Sequence, residues 1–106
     1  MEQISKNVFV ETKVRGCNPA FVITSDGVVV IDTPQLPTRA VEMYQLAKSY
    51  GPIRYLINTE QHVDHIFGNY YFDEVEHIIS HRATFDNFMT VYPQINPYLY
   101  AKEAIP

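Results

Sequence analysis

Apolar and polar residues alternate near the start of the chain. Val8, Val10, Thr12 and Val14 fall on one side, and Asn7, Phe9, Glu11 and Lys13 on the other. That period of two predicts a strand over Ile4 to Val14. Gly16 and Asn18-Pro19 then interrupt the pattern. Ala20 to Thr24 and Val28 to Ile31 are the next strand signals, and Ser25-Asp26-Gly27 between them is a tight-turn sequence. The two strands are predicted to pair as a hairpin. The second is apolar and β-branched throughout, as in a strand covered on both faces.

The period then lengthens. Pro37-Thr38 offers a helix start, and Ala40, Val41, Tyr44, Leu46 and Ala47 supply an apolar face at helical spacing. Gly51-Pro52 stops that helix, since glycine suits a left-handed cap and proline cannot continue the turn. Ile53 to Ile57 follows as a strand, Ile66 to Phe72 as a short aromatic helix, Val75 to Ser80 as a strand and His81 to Tyr92 as a helix. Strands alternating with helices after a hairpin predict an α/β fold. Its sheet is expected to be mainly parallel, with an antiparallel portion near the start. The tail from Tyr92 is rich in Pro and Tyr without a period. The expected organisation is a folded unit over residues 1–91 and a connector or arm over 92–106.

Composition narrows the function classes. Of 106 residues, 46% are hydrophobic and 19% charged, with a net charge of −4. The Lys and Arg residues are scattered, which argues against a nucleic-acid footprint. The uninterrupted apolar run Val28 to Ile31 is far too short to span a bilayer. The single Cys17 has no partner for an intrachain disulfide. The opening residues lack the basic, then apolar, then small-residue order of an export signal. On these grounds a cytoplasmic protein is expected.

The chemistry is concentrated in Thr59-Glu60-Gln61-His62-Val63-Asp64-His65. In open α/β sheets ligands gather at the carboxyl ends of strands, where this segment is predicted to lie. Imidazole nitrogen and carboxylate oxygen are zinc donors. In extended backbone Glu60 and His62 point the same way, whereas Asp64 and His65 project from the turn into a helix. One segment therefore supplies donors in two directions, which suits two adjacent metals. A metal pair lowers the pKa of a bridging water and stabilises charge developing on a substrate oxygen. A structural alternative stands beside this one. Asp64 is a good helix N-cap candidate without any metal, and Glu60 could sit on a solvated loop.

The stretch from Asn18 to about Phe88 resembles the N-terminal half of a metallo-β-lactamase-fold hydrolase. The resemblance is carried by Phe21-Val22-Ile23, Gly27 to Pro34, Leu56-Ile57-Asn58-Thr59, His62-Val63-Asp64-His65, Gly68-Asn69 and Ile78-Ile79-Ser80-His81, in that order. It implies half of an αββα sandwich, a mixed sheet with helices on one face. The family motif is His-x-His-x-Asp-His. By this resemblance His62 is a ligand of one metal, and Asp64 and His65 are ligands of a second. Asp32 supports the site by hydrogen bonding. Glu60 stands where the family has its first His. It is either a ligand that shifts preference from Zn toward Mn or Fe, or the mark of a lost first site. Asp64 and Glu60 are the candidate catalytic residues, Asp64 by orienting the attacking water and Glu60 as a water-orienting base.

The family completes its sites with two further His and a bridging Asp from a C-terminal half, ligands that residues 1–106 do not contain. Neither His77, at a strand start, nor His81, at a helix start, is expected to replace them. The chain is expected to be a fragment, a half that pairs with a second chain or with itself, or a non-catalytic module that keeps the fold. A lone half exposes an apolar sheet face, so a homodimer or a complementing C-terminal half is the expected partner. The leading function is a metal-dependent hydrolase that attacks an ester, thioester, lactone, amide or phosphoester with metal-bound hydroxide. The alternative is a binding or assembly module. The substrate is a small molecule whose identity the sequence does not carry. Phe67, Tyr70, Tyr71 and Phe72 are expected mainly in the core, with the lining of an apolar pocket near the site as the alternative.

Overall fold

The structure, a computed structural model, describes residues 1–91. Six strands form a single sheet in sequence order: β1 (Glu2–Ser5), β2 (Val8–Val10), β3 (Ala20–Thr24), β4 (Gly27–Ile31), β5 (Ile53–Asn58) and β6 (His77–Ser80). β1 to β4 run antiparallel, and β4, β5 and β6 run parallel. The helices are α1 (Pro37–Lys48), the single turn α2 (Val63–Ile66) with a 3-10 turn over Phe67–Tyr71, and α3 (Arg82–Val91).

The expected strand over Ile4 to Val14 is instead a hairpin. Lys6-Asn7 forms a turn between β1 and β2, and the extended backbone ends at Val10. A polar pair suits a turn better than a sheet interior. This adds an antiparallel strand, so the sheet is mixed and less parallel than expected. The hairpin of β3 and β4 forms as predicted, with Ala20 opposite Ile31 and Thr24 opposite Gly27. The Gly51-Pro52 stop holds too, since α1 ends at Lys48 and β5 starts at Ile53. The expected arm from Tyr92 lies outside the described residues.

Alternation along each strand sends one set of side chains under α1. Phe21, Val28, Val30 and Leu56 are fully buried and pack with Phe9, Ile53, Met43, Ala47 and Phe72. β5 keeps both Ile53 and Leu56 on this face because its register with β4 shifts between Val28 and Val29. Such a bulge inserts one extra residue without flipping the strand. The inner stripe of α1 is Ala40, Met43 and Ala47, whereas Val41, expected there, is 37% exposed. Phe85 and Phe88 of α3 line a cavity with Ile78 and Ser80 of β6, which places α3 on the same side of the sheet as the 3-10 turn.

The opposite face carries Val22, Val29, Ile31, Tyr55 and Ile57, all half-buried, and Ile79, which is 44% exposed. β4 is thus fully covered on one face only. No helix among the described residues is long and apolar enough to cross a membrane. Leu56→Ala should lower stability by about 2–5 kcal/mol in urea denaturation, because it opens a cavity between sheet and helix. Val41→Ala should change it by no more than about 0.5 kcal/mol, as for a surface position.

Candidate metal centre

The parallel pairing of β4 with β5 sets Ile31 beside Ile57, so the ends of both strands emerge together. Asp32 follows β4 and Thr59 follows β5. Asp32 is 5% exposed and takes a left-handed backbone, with φ of 58°, rare for a residue with a Cβ. Its carboxylate accepts the Thr59 backbone N–H at 2.8 Å and the Thr59 hydroxyl at 2.6 Å. Its Oδ2 also lies 2.8 Å from Nδ1 of His65. A carboxylate acceptor there places a proton on Nδ1 and turns Nε2 outward as the donor atom for a cation.

Nε2 of His65 meets the other acidic groups of the loop. It is 2.8 Å from Glu60 Oε1 and 3.6 Å from Asp64 Oδ2. Donor atoms of Glu60, Asp64 and His65 lie within 4.8 Å of one another. Donors around a tetrahedral zinc, with bonds of about 2.1 Å, stand about 3.4 Å apart. The Asp64–His65 spacing already matches that edge, and Glu60 needs to withdraw only slightly. The donor set of Glu60, Asp64 and His65 therefore fits a divalent ion.

His62 is placed differently. Its side chain is 65% exposed, and its Nδ1 lies 3.1 Å from Glu60 Oε1. The structure brings Glu60, Asp64 and His65 together and leaves His62 beside that group, linked through Glu60. The N-cap of α2 is His62, with no side-chain capping bond, and Asp64 lies inside the first turn. The capping alternative for Asp64 is thereby removed. His77 stacks on Tyr55 at the far end of the sheet, and His81 Nδ1 accepts the Ala83 N–H at the start of α3, a capping role.

Below the loop, the Thr33 hydroxyl bonds the His65 carbonyl at 3.2 Å and the Asn69 side chain at 3.0 Å. Asn69 and Asn58 exchange amide bonds of 2.7 and 3.2 Å. Gly68 leaves no room for a side chain, since a Cβ would lie 2.6 Å from that of Thr33. Phe67 and Phe72 are buried as expected, whereas Tyr70 is 55% exposed, and Phe67 and Tyr70 line the cavity beneath α3, of about 460 Å³.

Cys17 is a site neighbour that the pattern did not single out. Its Sγ is 2.8 Å from the Asp64 carbonyl and forms a second donor group with Asp32 and His65. Burial, then the Asp32 and Asp64 carboxylates, push its thiol up to about 12. Without a metal, a thiol so raised stays protonated at neutral pH and donates its S–H to the Asp64 carbonyl. No spacing rule links residues 47 apart, and the nearest sequence signal was the interruption at Gly16.

A family model described as the metallo-beta-lactamase superfamily matches residues 12–101. The chain belongs to this superfamily. Among solved structures, the metallo-beta-lactamase from Pontibacter korlensis is similar with a TM-score of 0.73 at 19% identity, over 85% of this chain and 46% of that one. The metallo-beta-lactamase from Hirschia baltica gives 0.67 at 20% identity, over 84% and 46%. DIM-1 metallo-beta-lactamase gives 0.71 at 20% identity, over 84% and 44%. These likenesses show the shared fold, and the chain spans less than half the length of each. A search of curated proteins finds no match. The superfamily implies a divalent metal, and the described residues hold the candidate donor groups for one.

Two outcomes are expected. Asp32→Asn should weaken divalent-metal binding about 10–100-fold in chelator competition, because the amide leaves one oxygen for the three Thr59 and His65 donors that two carboxylate oxygens accept. At high pH the unfolded chain loses the Cys17 proton while the folded chain keeps it, so stability should fall as pH rises through the ordinary thiol range toward 12. Cys17→Ala should flatten that slope in denaturation series run at several pH values.

Proposed function

We propose that this chain is the metal-binding half of a metal-dependent hydrolase. The observation that carries the reading is the chain of contacts from buried Asp32 through His65 to Glu60, with Asp64 beside it. Three protein donors is the number a catalytic zinc takes while keeping a position open. Glu60, Asp64 and His65 would hold the ion, and His62, on the outer side of Glu60, would serve a second ion. Zn suits the His and carboxylate set, and Glu60 extends the range to Mn and Fe. When bound, such an ion supplies Lewis acidity and a water acidified toward neutral pH. Asp32 holds the imidazole of His65 in one tautomer. Glu60 and Asp64 offer carboxylate oxygens that orient a water and accept its proton. The substrate class is an ester, thioester, lactone, amide or phosphoester.

Residues 1–91 would form this half-domain, and 92–106 a connecting arm. The apolar face of Val22, Val29, Ile31, Tyr55, Ile57 and Ile79 supports a covering partner, either a second copy or a complementing C-terminal half. A second reading, a non-catalytic assembly module, is favoured by the 65% exposure of His62 outside the three-donor group.

Native mass spectrometry with elemental analysis of the isolated protein distinguishes the two. The hydrolase reading expects at least one divalent ion per chain, an assembly larger than one chain, and loss of most metal in His65→Ala and Asp64→Ala. It also expects metal-dependent turnover of a chromogenic ester, thioester, lactone, amide or phosphodiester by the completed assembly. Unchanged metal content in both variants would overturn it.

A further inference from the structure

Asp64 lies in a helix of only four residues with no side-chain cap. A single turn is too short to hold itself, because helix nucleation is unfavourable without further propagation. Its orientation must come from elsewhere. The segment between β2 and β3 makes two separate contacts with it. A Cβ built on Gly16 would stand 2.6 Å from the Asp64 Cβ and 3.2 Å from its Oδ2, so the Asp64 side chain lies directly against the glycine. Gly16 also has φ of +102°, a backbone that residues with a Cβ rarely adopt. One residue on, the Cys17 thiol donates to the Asp64 carbonyl at 2.8 Å. The first contact limits where the carboxylate can swing, and the second limits where the backbone beneath it can move.

We propose that Gly16 and Cys17 form a brace that positions the Asp64 carboxylate toward His65 Nε2 and Glu60. They are positioning residues, acting on a bound ion only through Asp64. The proposal rests on the reading of Asp64 as a metal ligand. The brace joins the opening half of the sheet to the metal loop across 47 residues of sequence. With Asp32 holding His65 from behind, two of the three donors are then aligned by residues outside the loop itself.

The test titrates the full chain, in its isolated assembly, with Co²⁺ and reads affinity and the visible spectrum. Circular dichroism and melting establish that each variant is folded. Gly16→Ala should bind Co²⁺ about 10–100-fold more weakly, with a shifted spectrum, as for removal of an outer support of a ligand. Cys17→Ala should weaken binding in the same direction, and Cys17→Ser, which keeps a donor, should restore most of it. Gly16→Ala added to Asp64→Ala should cost nothing further, since residues acting through one another are not additive.

If Asp64→Ala binds as tightly as the unaltered chain, the ligand reading beneath the proposal fails. If Asp64→Ala is weak but Gly16→Ala and Cys17→Ala bind normally, the brace alone is overturned. A thiolate-to-cobalt absorption band lost in Cys17→Ser would make Cys17 a ligand and also overturn it. Should Gly16→Ala fail to fold, the Cys17→Ala and Cys17→Ser pair decides the matter.

Discussion

The Asp32 carboxylate is the constraint on which the loop end of the sheet depends. It is buried at the end of β4, in a left-handed backbone conformation, and its two oxygens accept the Thr59 N–H, the Thr59 hydroxyl and the His65 ring N–H. Strain of this kind costs about 1–3 kcal/mol and persists only where the surroundings over-determine it. Here three hydrogen bonds do so, tying together the end of β4, the end of β5 and α2. An unpartnered buried carboxyl group would be far less tolerable than the strained backbone. The direction of His65 therefore follows from the conformation of Asp32.

A second layer of polar contacts supports the same point from below. Thr33 reaches the His65 carbonyl and Asn69, and Asn69 closes a reciprocal amide pair with Asn58. Asn58 is the last residue of β5 and Asn69 lies in the 3-10 turn, so the pair fastens the turn to the sheet it leaves. Thr33 and Asn58 are buried polar residues whose hydrogen bonds are met within this network. The loop is thus held by side chains that carry no metal chemistry. The rigidity needed to present Glu60, Asp64 and His65 comes from the strand ends and this buckle rather than from the short α2.

The two faces of the sheet are covered to different degrees. Under α1, Phe21, Val28, Val30 and Leu56 are sealed. Across the strands, Val22, Val29, Ile31, Tyr55 and Ile57 remain half-buried and apolar. A sheet of a two-layer domain needs both faces covered where both are apolar. The donor set lies at the carboxyl ends of β4 and β5, on the edge shared by the covered face and the half-buried one.

The sequence alone determined the β3–β4 hairpin, the α1 stop, the later strands, α3 and the loop that holds the acidic and imidazole donors. These are local matters: periodicity, turn residues and a motif within seven consecutive positions, Thr59 to His65. The helices-on-one-face layout came only through the family resemblance, and the helix expected over Ile66 to Phe72 is a helical turn over Val63–Ile66 followed by a 3-10 turn. The sequence misjudged the opening strand, where β1 and β2 alternate much as one long strand does, and it put Val41 rather than Met43 inward. Only the tertiary structure decided which donors converge. His65 meets Asp32 across 33 residues and Cys17 meets Asp64 across 47, while His62, two residues from Asp64, is left facing outward. Such contacts depend on strand register and on how a short turn leaves a strand end, and side chains that meet across distant segments leave no period for a sequence to display.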